Sequence, residues 1–103
     1  MMIRSAVFSA AILLSFASPT LAQDADKAVE CRKQGQIAMN IITERQNGSN
    51  PRRAERRVIR ALPDDAKKYE VAVPALVEWI YGLPADQITP EVSNVIYQSC
   101  MSQ

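Results

Sequence analysis

The stretch NGSNPRRAERRVIRALPDD, residues 47–65, holds one complete helix together with the signals that start and stop it. Gly48 suits the left-handed conformation that closes a preceding helix, because glycine enters that region at no steric cost. Asn50 is placed as an N-cap and Pro51 as the first helical residue, where a missing N–H does no harm. The helix should reach about Leu62, since Pro63 disfavours helical angles in the residue before it. At about 100° per residue, Arg52, Arg53, Arg56, Arg57 and Arg60 occupy one arc of roughly 140°, and Ala54, Val58, Ile59, Ala61 and Leu62 take almost all of the other. Asp64 and Asp65 then offer a cap, and acid at the positive end, for the next helix.

The same pattern continues in both directions. Upstream, residues 25–46 read as a helix whose stripe is Ala28, Cys31, Gly35, Ala38 and Ile42, widened by Ile37, Met39 and Ile41. The small residues at 28, 35 and 38 would let another helix approach closely. Arg45 suits the negative end of the helix dipole. Downstream, VAVPALVEWIY (71–81) is apolar on every side of a helical wheel, which predicts a helix buried all round. Pro74 must kink that helix or divide it in two. Buried there, Glu78 would need Arg45 or an arginine of residues 52–60 as partner, because a lone buried carboxylate is costly. A strand over residues 69–73 would lack any partner strand. Thr89 as cap, Pro90 and Glu91 open a last helix with a stripe of Val92, Val95, Ile96 and Cys100. The expectation is an all-α class, a small helical domain of about four helices.

The chain ends set its context. Arg4, the apolar run of residues 5–17 and Thr20-Leu21-Ala22 follow the grammar of a secretory signal peptide, so residues 1–22 are expected to be removed and residues 23–103 to form a single helical domain. The apolar run is shorter than the ~20 residues a transmembrane helix needs, and no transmembrane segment is expected after cleavage. The two cysteines, Cys31 and Cys100, have no Cys-x-x-Cys spacing and no histidine beside them for a metal site. In a periplasmic or secreted protein such a pair reads as a structural disulfide, here linking the first and last helices.

Charge is balanced but unevenly spread. From residue 23 onward basic and acidic side chains are equal in number, so a specific nucleic-acid partner is not expected. Residues 45–60 hold six arginines against Glu55, whereas residues 61–103 hold Lys67 and Lys68 against six acids. Arg52, Arg53, Arg56, Arg57 and Arg60 are either a solvated helix face, partly neutralised by Asp64, Asp65 or other acids, or a face for an anionic surface. Arginine's planar fork suits carboxylate and phosphate. Leu76, Trp79, Ile80 and Tyr81 form a second candidate surface, apolar, for a partner or for self-association. The absence of histidine and of a Gly-rich phosphate loop or Gly-x-Ser-x-Gly argues against an enzyme, and no catalytic, cofactor or metal residues are assigned.

Assembled, Cys31 … Ala38-x-x-Ile41-Ile42-x-x-Arg45-Gln46-x-Gly48 … Ala75-Leu76-x-x-Trp79-Ile80-Tyr81-x-x-Pro84 … Tyr97-x-x-Cys100 resembles a group of small secreted two-cysteine helical proteins of bacteria and their phages. The resemblance implies the disulfide, the helical fold and a bacterial envelope setting, and it supplies no catalytic residues. Residues 52–60 lie outside the shared pattern. The expected function is a non-enzymatic protein-binding or inhibitor-type module of the cell envelope. The alternative is a periplasmic stress or chaperone-like protein that exposes residues 71–81.

Overall fold

The fold was analysed in a computed structural model that describes residues 19–103. Most of the expected signal peptide therefore lies outside the described residues. The described chain is all-α: α1 (Pro19–Gln46), α2 (Pro51–Ala61), a 3₁₀ segment (Asp64–Ala72), α3 (Val73–Gly82), a short 3₁₀ turn (Ala85–Gln87) and α4 (Glu91–Met101). No strand occurs among the described residues, and the extended alternative for residues 69–73 is overturned.

Helix α1 is the spine. Cys31, Ile37, Ala38, Ile41 and Ile42 are buried, as the stripe predicted, and α2, α3 and α4 all pack on it. It begins at Pro19, six residues before the predicted start, so Ala22 and Gln23 lie within the helix. Its end is a Schellman turn. Gly48 takes φ +83°, its N–H donates to the Arg45 carbonyl, and the Ser49 N–H donates to the Glu44 carbonyl. The Asn50 side chain then accepts from the Arg53 N–H at 2.8 Å with Pro51 in the first turn, which starts α2 as predicted. Ala54, Val58 and Leu62 turn inward from α2.

Two local expectations are corrected and one open alternative is resolved. Asp64 and Asp65 cap nothing: the segment they open is 3₁₀, without a side-chain cap bond, and the acids reach Lys67 and Lys33 instead. Three residues per turn aligns Ala66 with Tyr69, which puts both toward the core. Pro74 separates two helices, because it has no N–H to donate toward Glu70 and would crowd that carbonyl. The Val73 N–H bonds Glu70 in its place, and α3 starts afresh with Pro74 in its first turn. Thr89 is likewise no cap. Its carbonyl takes the Val92 N–H, and α4 starts at Glu91 behind Pro90.

Helix α4 returns antiparallel along α1. Gly35 allows a close approach, because a Cβ there would lie 3.3 Å from Ser93 Oγ and 3.4 Å from its carbonyl oxygen. The Ser93 hydroxyl donates to the Gly35 carbonyl at 2.7 Å. Beyond this contact Cys31 and Cys100 form the disulfide between the first and last helices. Lys27 donates to a Gln103 main-chain oxygen further on, past the end of α4.

The bridge closes a loop of 69 residues in sequence, which the chain-entropy estimate values at roughly 4 kcal/mol. Replacing both cysteines by alanine should lower the unfolding free energy by about that amount, read from urea titrations of the two proteins. Wild type measured with a reductant should fall to match the variant.

Candidate binding surfaces

The ends of α1 and α3 meet in one polar junction. Arg45 Nη1 donates to the carbonyls of Ile80 and Leu83 at 2.6 and 2.7 Å, adding to the Leu83 N–H bond that the Ile80 carbonyl already accepts at the end of α3. The same guanidinium lies 5.8 Å from the centroid of the Tyr81 ring. The Tyr81 hydroxyl, in turn, donates to the Ser49 carbonyl at 2.6 Å. Ser49 is buried and gives its own hydroxyl to Glu44 Oε2 at 2.5 Å. Gln46 extends the junction by donating to the Ile88 carbonyl. Thus Arg45, Gln46, Gly48 and Tyr81 gather at one corner, each tied to the backbone there. It fixes how α3 leans on α1 and α2.

This corner decides the fate of Glu78. Arg45 is committed to carbonyls, and Glu78 points outward with no ion pair among the described residues. The expectation that it is buried and partnered is corrected. A four-helix domain with one spine leaves every outer helix a solvent side, and α3 turns Ala75, Glu78 and Trp79 to it. Val73, Val77 and Ile80 face the core.

The apolar candidate surface is accordingly split. Ile80 is fully buried and belongs to the core, and Tyr81 is half-buried in the corner. Leu76 and Trp79 instead line an open groove of about 450 Å³ between α3 and α4, with Ala72, Ala75, Val95, Ile96 and Ser99. Trp79 is 42% exposed and Val95 48%. Val95 was expected in the buried stripe of α4. It lies one position off the line through Val92, Ile96 and Cys100 that faces the core, and this is the signal that separates it from them. A second hollow, lined by Ala75, Glu78, Trp79, Gly82 and Leu83, continues the surface over the outer side of α3. Val71, 88% exposed, is the barest large apolar side chain among the described residues.

The five arginines of α2 are all exposed, on the side opposite Ala54, Val58 and Leu62. Only Arg57 has a carboxylate within ion-pair reach among the described residues, Glu44 at 3.7 Å. Asp64 and Asp65 do not neutralise the face, since they pair with lysines.

A separate cluster pins the 3₁₀ segment to α1. Glu30 accepts from the Tyr69 hydroxyl and pairs with Lys68 at 2.9 Å and Lys33 at 3.1 Å. The tyrosine hydrogen bond first, and then the two ammonium groups, hold its carboxyl down at about 2. Among the described residues no three His, Cys, Asp or Glu side chains gather as a metal site would require, and no helix is long and apolar enough to cross a membrane. Compared with family models, curated proteins and solved structures, the chain matches none of them.

Two predictions follow from the polar clusters. Arg45→Met should cost about 1.5–3 kcal/mol in urea unfolding, the range for hydrogen bonds to a charged group, whereas Arg56→Gln on the surface should change stability by less than about 0.5 kcal/mol. Glu30 is depressed on folding, so its stabilising effect is complete above the ordinary carboxylate range and fades as pH falls from about 4.5 toward about 2. Glu30→Gln should therefore be less stable than wild type at pH 7, and the two unfolding curves should converge across that acid window.

Proposed function

We propose that the protein is an exported, non-enzymatic binding module of the cell envelope, of the protein-binding or inhibitor type. Its docking site is the groove between α3 and α4. The observation that carries this reading is Trp79, half-exposed beside Leu76, Val95 and Ile96 on a domain whose remaining large apolar residues are mostly packed. Tryptophan is among the residue types enriched at binding hot spots, which sit in desolvated pockets. Glu78, exposed and without an ion pair among the described residues, borders Trp79 in the adjoining hollow. That charge selects the occupant: a protein segment with an apolar face and a basic flank, such as an amphipathic helix. Export is supported by the N-terminal grammar, by the disulfide, which persists in oxidising compartments, and by the resemblance to small secreted two-cysteine proteins. A role in binding rather than catalysis is supported by the lack of histidine in the chain.

The chaperone-like alternative requires residues 71–81 to be uncovered by unfolding. The outer side of α3 is open in the folded domain already, so the binding reading needs no such step.

Photo-crosslinking in cells tests the site. A crosslinking residue at Val95 or Ser99 should yield one discrete adduct with another envelope protein, and the same residue at Lys67 should not. Trp79→Ala should abolish the adduct, and Glu78→Lys should weaken it at least tenfold. The crosslinked peptide should be amphipathic and basic. If Val95 gives only an adduct of twice the chain mass, the groove is a self-association surface and the proposal fails. Adducts of equal yield at Lys67 would also overturn it.

A further inference from the structure

The arginine face of α2 is a second surface, independent of the groove, and it differs from the groove in kind. At about 1.5 Å per residue, Arg52 to Arg60 covers roughly 12 Å of helix length. The centre of the arginine arc lies about 170° around the helix from Val58, which is buried, so the guanidinium groups point directly away from the core. Arg52, Arg53, Arg56 and Arg60 have no carboxylate within 4 Å among the described residues. None of the exposed large apolar residues, Val29, Val71, Trp79 and Val95, belongs to α2.

We infer that this face docks the protein on a layer of anionic phospholipid headgroups. A protein partner would ask for an apolar or aromatic centre within a polar rim, and α2 offers charge without a centre. A plane of phosphates asks for nothing else. Guanidinium groups bind phosphate oxygens in pairs, and a convex helix ridge touches such a plane at any rotation about its normal. The apolar side of α2 is committed to the core through Ala54, Val58 and Leu62, so the helix rests on headgroups and does not insert between acyl chains. Contact is thus electrostatic, reversible and weakened by salt.

Vesicle co-sedimentation of the disulfide-bonded full chain tests this. Vesicles of one part phosphatidylglycerol to two parts phosphatidylcholine are compared with vesicles of phosphatidylcholine alone. Wild type should bind the anionic vesicles preferentially and lose that preference in high salt. The combined variant Arg52→Gln, Arg53→Gln, Arg56→Gln and Arg60→Gln leaves Arg57 with Glu44 and touches no core residue. Its partition should fall by roughly fivefold per arginine, several hundredfold in all, with the circular-dichroism spectrum unchanged. The corresponding four-lysine variant keeps the charge and should bind within a few-fold of wild type. Equal binding of wild type and the glutamine variant would overturn the inference, as would a lysine variant as defective as the glutamine one. Arginine-dependent binding to polyglutamate with no preference for anionic vesicles would reassign the face to an acidic protein. Competition by inorganic phosphate beyond that of chloride at matched ionic strength would replace the headgroup layer with a discrete phosphate site.

Discussion

The guanidinium of Arg45 holds the ends of two helices with one nitrogen. Without it, the Leu83 carbonyl would lose its side-chain donor, the Ile80 carbonyl would keep only the Leu83 N–H, and the ring of Tyr81 would lose the cation beside it. Much else depends on this contact. It anchors the C-terminal end of α3, whose Val73, Val77 and Ile80 lie in the core while Trp79 and Glu78 turn outward. The outward set is the one from which the α3–α4 groove is built. Ser49 and Glu44 complete the corner from the α1 side, and Glu44 also meets Arg57, so the corner touches one edge of the arginine face.

Much of the fold was legible in the sequence because its strongest signals are local. Gly48 at positive φ, Asn50 with Pro51, and the one-sided arginines of α2 are each decided within a few residues, and each took the expected form. The pairing of Cys31 with Cys100 followed from there being only two cysteines. Signals that depend on competing neighbours were less readable. Asp64, Asp65 and Thr89 are good capping residues by type. Lys33 and Lys67 drew the acids away, and Pro90 displaced the start of α4 past Thr89.

The candidate surfaces show the same division. A helix-wheel count places the five arginines correctly, because a charged arc on an amphipathic helix has nowhere to go but outward. The apolar run of α3 gave no such direction. Ile80 and Trp79 are adjacent and both apolar, yet one is sealed and the other open, because neighbours on a helix point about 100° apart and only Ile80 shares the stripe of Val73 and Val77. Arg45 itself was readable only as a complement to the dipole of its own helix.

The bridge between Cys31 and Cys100 also decides how the domain would carry force. Tension applied through the segments before Cys31 and after Cys100 passes from α1 to α4 across a single covalent link, and residues 32–99 lie inside the loop that link closes. Helices α2 and α3, with the arginine face and the outer side of α3, are out of the load path. While the bridge is oxidised, the domain can be pulled at its ends without either surface feeling the strain.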